Sequence, residues 1–161
     1  MDGFQRDLVA LLPRLRRFAR SLTGDATLAD DLVQTAVERA LVRRDQWRPD
    51  SALHSWMFTL MKNAWIDDRR AHNRRTAWAR PAEEAEAVAD SGAADLPTRT
   101  VIERAMEALP SDQRLAVALV LVEGLSYAEA SKVLNIPEGT LTSRLVRGRT
   151  TLMASLQGLG A

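Results

Sequence analysis

Two groups of side chains in this 161-residue chain are of types that could do chemistry, and in both the chemistry is binding rather than bond-making. The first is Thr142, Ser143, Arg144, Arg147 and Arg149, hydroxyls and guanidiniums gathered along one helix. An arginine can donate two parallel hydrogen bonds to a guanine edge, a contact that discriminates by about 1–3 kcal/mol, and Ser or Thr can serve several base edges. The second group fills residues 54–80, where Trp56, Phe58, Trp65 and Trp78 stand among Lys62, Arg69, Arg70, Arg74, Arg75 and Arg80. Aromatic planes stack bases and cations follow a phosphate backbone, so this composition suits a single nucleic-acid strand. Trp56 falls on an apolar helical stripe and reads as core. For Phe58 and Trp65 the sequence leaves core and binding roles both open.

Bond-making chemistry finds little support. The best case for it is Asp67 and Asp68 with His54 and His72 as metal ligands. Adjacent acids on a helix diverge by about 100°, and the two histidines are 18 residues apart with no ligand-spaced neighbour. There is no cysteine, hence no disulfide and no thiolate site, and no nucleophile elbow or glycine-rich phosphate loop. The expectation is a protein that is not an enzyme and needs no cofactor or metal.

The elements that must hold these groups are helical throughout. Residues 123–149 read as two short helices joined by a tight turn. Ser126 and Glu129 have the spacing of a capping box, and Ala128, Ala130, Val133 and Leu134 form an apolar face. Asn135 can take the left-handed conformation that stops a helix, and Pro137 pre-sets the start of the next. Leu141, Leu145 and Leu152 then point inward, which leaves the Ser, Thr and Arg row outside. That is a helix-turn-helix, a motif that lays its second helix in the major groove.

Upstream, residues 5–22 carry Leu8, Leu11, Leu12, Leu15, Phe18, Ala19 and Leu22 on one stripe ending at Gly24. Residues 27–44 place Leu28, Leu32, Ala36 and Ala40 in one row, with Val33, Val37 and Leu41 beside it. A third helical region spans 51–71 with Trp56, Leu60, Ala64 and Ile66. Three such stripes close into a small bundle. From about Thr76 to Leu96 alanine and acid alternate without apolar period, the composition of a flexible linker. Pro97 and Thr98 open a second cluster, in which Val101, Ile102, Ala105, Met106 and Leu109 form one stripe. Ser111 is expected to cap the next helix, with Leu115, Ala118, Leu119 and Val122 inside and Gly124 as its stop. The fold expected is all-α: an N-terminal domain over residues 1–75, an acidic Ala-rich linker over 76–97, and a four-helix domain over 98–161.

Net charge is only +1, but it is unevenly spread. Residues 1–80 hold 15 Lys and Arg against 10 Asp and Glu, whereas residues 81–100 hold one against five. A basic module beside an acidic spacer suits a polyanion partner. No apolar run approaches the roughly 20 residues that span a bilayer, and the acidic N-terminus does not read as a secretion signal. A soluble, cytoplasmic protein without membrane insertion is expected.

Four places together carry a resemblance: Ala29-Asp30-Asp31-Leu32-Val33-Gln34; Ser55-Trp56-Met57-Phe58-Thr59-Leu60 followed by Asn63 and Asp67-Asp68-Arg69-Arg70; Leu109-Pro110 with Asp112-Gln113-Arg114; and the helix-turn-helix. In this order and spacing the chain resembles a bacterial RNA polymerase sigma factor of the two-domain, extracytoplasmic-function (ECF) group. The resemblance implies a dissociable subunit that joins core RNA polymerase, directs it to promoters and helps open the DNA.

It also implies partners for particular residues. Asp31, Gln34 and Glu38 share one polar strip at three-to-four spacing, suited to a protein partner. By resemblance that partner is the clamp coiled coil of the polymerase's largest subunit, with the flap as a further contact; Thr35 stands where the family usually carries an acid. Asp30 reads equally as a residue favouring the helix dipole. Asn63 sits where the family holds an unstacked base of the minus-10 element, with Lys62, Trp65, Arg69, Arg70, Arg74 and Arg75 along the same strand. Ser143, Arg144, Arg147 and Arg149 would read the minus-35 element with Arg114 as a phosphate clamp. Thr142 replaces a usual basic residue there, and Gly148 replaces a usual alanine at a cost of about 1 kcal/mol in helix propensity. An anti-sigma factor wedged between the domains is the other partner implied. The competing reading is an ordinary transcription regulator, but the tail after Arg149 is too short for a dimerising coiled coil.

Overall fold

The computed structural model describes residues 1–79 and 100–160, and every regular element among them is helical. The first domain consists of α1 (Gly3–Thr23), α2 (Ala26–Val42) and α3 (Leu53–Ala79), with a short 3-10 turn at Arg44–Gln46. Asp2 and Gln5 close a capping box on α1, and Gly24 ends it at φ 68° with its N–H on the Arg20 carbonyl. Asp25 immediately caps α2 by accepting from the amides of Thr27 and Leu28. Leu15, Phe18 and Leu22 of α1 meet Ala36 and Ala40 of α2 and Met57, Phe58 and Met61 of α3 in a dry core. Each large apolar side chain withdrawn from water this way contributes about 1.5–3 kcal/mol. Phe18 and Phe58 pack at 4.8 Å between ring centroids. Phe58 is therefore core, which resolves one alternative the sequence left open. Trp56 is half-buried against Phe4, in line with the apolar stripe.

The second domain consists of α4 (Val101–Glu107), α5 (Ser111–Val117) continued by a π turn (Ala118–Val122), α6 (Tyr127–Leu134) and α7 (Glu138–Gly160). Ser126 caps α6 and Asn135 stops it at φ 55°, with the Ile136 amide reaching back to Ser131. The turn is as the sequence implies, but the capping box is half formed: Glu129 accepts the Ser126 hydroxyl at 3.2 Å, with no bond from its carboxylate to the cap amide. Gly148 is required by packing: a Cβ there would lie 2.7 Å from Val117 Cγ2, because α7 crosses α5 at that point. The helix propensity it forgoes is the cost of a close approach.

Several local expectations are corrected. Ser111 does not cap α5; Pro110 occupies the cap position and makes no side-chain cap bond. Val101 and Ile102 are 52% and 55% exposed, so the α4 stripe narrows to Ala105 and Met106, with Leu109 beyond its end. Leu28 and Leu41 likewise face out of α2. α3 runs to Ala79, past the boundary expected at residue 75. The linker composition at 80–97, with Arg80, Pro97 and Thr98, lies outside the described residues.

The two domains abut. α3 packs on α6, and α1 packs on α4, α5 and the π turn. That contact decides which candidate residues are accessible.

Candidate nucleic-acid and polymerase interfaces

On α7 the buried stripe of Leu141, Leu145 and Gly148 turns the opposite side outward. Ser143, Arg147 and Thr150 stand on that outer side, flanked by Thr142, Val146 and Arg149, and all six are exposed. Thr142 and Ser143 donate their hydroxyl protons to the carbonyls of Glu138 and Gly139, so toward a ligand both present lone pairs. Arg144 is turned aside: its Nε lies 3.7 Å from an Asp112 carboxylate oxygen and the side chain is half-buried. Arg147 is thus the guanidinium most freely placed for a groove floor.

On α3 the candidates fall on two sides of one helix. Asn63, Arg70 and Arg74 are exposed at spacings of seven and four, a row about 16 Å long at 1.5 Å per residue. Arg75, also exposed, points from a different side. Lys62 is half-buried, and its burial lowers the ammonium below its ordinary value. Trp65 is only 4% exposed. Arg69 stacks on its ring at 4.8 Å and Arg114, from the other domain, approaches it at 5.7 Å. The ring expected to stack a base is covered in this arrangement.

Arg114 departs furthest from expectation. Its side chain is not offered to a phosphate. The residue is 7% exposed and donates to three carbonyls: Leu22 at 2.8 Å, Glu107 at 3.1 Å and Leu109 at 2.9 Å. Leu22 lies in the last turn of α1, where carbonyls lack helical partners and the dipole favours a cation. Burial, reinforced by the Arg69 charge and partly offset by Glu107, lowers the Arg114 guanidinium to about 10.

The polar strip of α2 is open. Asp31, Gln34 and Glu38 are exposed and Thr35 half-buried, with Gln34 donating to Glu38 at 3.2 Å. Because α2 begins at Ala26, Asp30 and Asp31 lie beyond its first turn. The dipole effect fades within that turn, so it does not account for either acid. Beside the strip, Leu12, Arg16, Asp30, Val33, Gln34 and Val37 line a shallow cleft between α1 and α2. Among the described residues no three His, Asp or Glu side chains gather as a metal site, and no helix is long and apolar enough to cross a membrane.

Comparison with known proteins identifies the family of both domains. Residues 8–62 match the family described as the Sigma2 domain of PhyR, and residues 99–152 match Sigma-70, region 4. The ECF RNA polymerase sigma factor EcfG of Rhodopseudomonas palustris is 36% identical over 166 residues, covering 99% of this chain and 88% of that one. The chain belongs to the ECF sigma factor family. It is a promoter-specificity subunit of RNA polymerase. Among solved structures, the sigma factor RpoE bound to the anti-sigma factor NepR from Bartonella quintana matches with a TM-score of 0.79 at 30% identity, covering 98% of both chains. CnrH in complex with the cytosolic domain of CnrY matches with a TM-score of 0.65 at 26% identity.

A second set of residues joins the two sigma domains, and of these only His54 and Glu129 were singled out in the sequence, for other roles. Glu123 follows the π turn, and its side chain is fully buried against α1. It accepts from Arg14 Nε at 3.1 Å and from Arg17 Nε and Nη2 at 2.9 and 2.8 Å, while Arg14 Nη2 also donates to the Glu123 carbonyl at 2.9 Å. Hydrogen bonding to Glu123 raises the Arg17 guanidinium above its ordinary value. Arg20 pairs with Glu103 at 3.0 Å and His54 with Glu129 at 3.2 Å. The signal in the sequence was a run of arginines at three-residue spacing on α1, which amphipathic analysis treats as a solvated face.

Proposed function

We propose that this sigma factor divides promoter recognition between α7 and α3 and holds the polymerase through α2. The outward row Ser143, Arg147 and Thr150, opposite a buried leucine stripe, is the observation that carries the reading. It matches a helix that enters the major groove with its polar side on base edges. Arg147 donates to guanine at the minus-35 element, Ser143 and Thr142 accept from neighbouring groups, and Arg149 reaches the flanking backbone. Arg144 joins them only after leaving Asp112.

Asn63, with Arg70 and Arg74 behind it, captures an unstacked base of the minus-10 element and tracks its phosphates. Holding the separated strand favours melting, because the single strand is then stabilised relative to the duplex. The strip Asp31, Gln34 and Glu38, with Thr35, docks on the clamp coiled coil of core polymerase, and the second domain contacts the flap. The assembly works in the cytoplasm, adds no catalytic group of its own, and is restrained by an anti-sigma factor. The last point is supported by the two structural neighbours, both described in complex with such a factor.

The test is transcription by purified bacterial core polymerase on a pool of randomised promoters, with and without the chain. Initiation that depends on the chain and selects two sequence elements is expected. Asp31→Arg with Gln34→Ala should abolish core binding while the isolated chain keeps its helix content. Unchanged core affinity in that variant would overturn the clamp assignment. A chain that binds duplex DNA selectively but neither binds core nor supports initiation would be a regulator of another kind.

A further inference from the structure

We propose that α7 reads a thymine as well as a guanine: Val146, exposed between Thr142 and Thr150, packs on the 5-methyl group of a thymine in the minus-35 element. The inference rests on the assignment of α7 to that element and adds a second base, selected by apolar contact rather than by a hydrogen bond.

Val146 is the anomaly on this surface. It is 60% exposed, the one aliphatic side chain among the six outward residues from Thr142 to Thr150. A β-branched residue in a helix forgoes propensity relative to alanine, and this one buries little in return. Lone exposed valines are common on protein surfaces. What singles this one out is its place on the outer side of the second helix of a helix-turn-helix. It adjoins Arg147 in the chain, and successive helical residues point about 100° apart. The outer surface thus has a guanidinium side and an apolar side, which meet different base pairs.

The hydroxyl residues around Val146 reinforce the apolar side. Thr142 and Thr150 stand about 6 Å before and after it along the helix axis. Thr142 donates to the Glu138 carbonyl at 2.9 Å, and Thr150 to the carbonyl of Val146 itself at 3.0 Å. Ser143 donates to Gly139 at 3.2 Å. With these protons held by the helix, none of the three has a donor for the acceptor atoms of a base edge. The threonines offer lone pairs and methyl groups. Thr142 also stands where the resemblance places a basic residue, so a charge gives way here to a methyl-bearing side chain. Gly139, seven residues before Val146, falls on the same side. Open space surrounds the position of its missing Cβ, which lets a duplex come close at the start of the helix.

The major-groove edge carries one apolar substituent, the thymine methyl. Against hydrogen-bonding groups of the other bases, a valine displaces water and supplies no partner. Val146 therefore favours thymine by about fourfold in affinity, the worth of one methyl group withdrawn from water.

The test uses holoenzyme assembled from purified core polymerase and the full chain, on the promoter selected from the randomised pool. Each thymine of the minus-35 element is replaced in turn by deoxyuridine, which removes only the 5-methyl group, and affinity is measured by competition. A loss of about fourfold is expected at one or two adjacent positions. Val146→Ala, with helix content checked by circular dichroism, should bind the thymine promoter about fourfold less tightly and be indifferent to deoxyuridine at those positions. A selected element without thymine on either strand, deoxyuridine without effect, or a Val146→Ala loss equal on both promoters overturns the proposal. Arg147→Ala should weaken binding whether or not the methyl is present. If Arg147→Ala also leaves selection at the element unchanged, the assignment of α7 falls as well. If only the methyl is without effect, that assignment stands and the thymine contact alone is lost.

Discussion

Helix α7 and the long helix α3 were both read from sequence as nucleic-acid surfaces, and the structure treats them differently. α7 packs on α4, α5 and α6 of its own domain, and its outer side is open. α3 is shared: its early turns build one domain's core, and Trp65 further along is covered by Arg114 of the other. A local motif exposes the side its periodicity says it will expose. A helix that also serves as a domain boundary can have its polar side commandeered by a neighbour remote in sequence. Arg147 and Arg114 are the sharpest pair. One is an arginine left in solvent, the other an arginine consumed by three carbonyls.

Substituting these two arginines should separate the regions most clearly. Arg114→Ala leaves the carbonyls of Leu22, Glu107 and Leu109 without their donor, and charge-assisted hydrogen bonds of this kind contribute about 1.5–3 kcal/mol each. Allowing for water reaching some of the freed carbonyls, a stability loss of about 3 kcal/mol is expected in urea titration, with domain separation visible by scattering. Arg147→Ala should leave both unchanged and weaken promoter-selective initiation by about 1–3 kcal/mol, relaxing preference at one base pair. If Arg147→Ala unfolded the chain, or Arg114→Ala kept full stability, the contrast between the helices would be lost.

A smaller effect is expected at Gly148, which sets how close α7 comes to α5. Gly148→Ala gains about 1 kcal/mol of helix propensity, yet its Cβ meets a stiff Val117 in a packed core, where overpacking costs about 1–3 kcal/mol. The contact would be 2.7 Å without movement. A net loss of about 1 kcal/mol is expected, and a double-mutant cycle with Val117→Ala should show the two substitutions coupled by more than about 0.5 kcal/mol. Additive effects would mean that α7 shifts freely, and its outer row would then not be rigidly aimed.

How far the sequence was legible follows the same division. Capping at Ser126, the left-handed Asn135 and the leucine stripe of α7 depend on neighbours within a few residues, and each was readable. The outward strip Asp31, Gln34 and Glu38 was readable for the same reason. Phe58 and Trp65 were ambiguous because aromatic residues serve cores and stacking surfaces alike, and only the tertiary partners Phe18 and Arg114 decide. Val101 and Ile102 obeyed helical period without being buried, since nothing packs on that side of α4 among the described residues. Glu123 was invisible as a site because its partners lie more than a hundred residues away. Its one local cue is a charge closing the apolar run before Gly124.

The weakest element of the interdomain contact should be Glu129 with His54, and it makes that contact sensitive to acid. The Glu129 carboxylate accepts from Ser126 through one oxygen and faces His54 Nε2 through the other, and chiefly the His54 bond holds it below its ordinary value. A carboxylate whose folded value lies below its unfolded one stabilises the folded state above the ordinary range near 4.5. That contribution is lost as pH falls through the folded value. Both side chains are substantially solvated, so the pair is worth at most about 0.5 kcal/mol after screening. Glu129→Gln should therefore shift stability only slightly at pH 7 and flatten the dependence on pH between about 5 and 3, measured by urea titration at each pH. His54→Ala should act in the same direction through the same bond. A loss in either variant as large as that expected for Arg114→Ala would place the main hold on the α3–α6 side of the contact and demote the α1 arginines to surface charges.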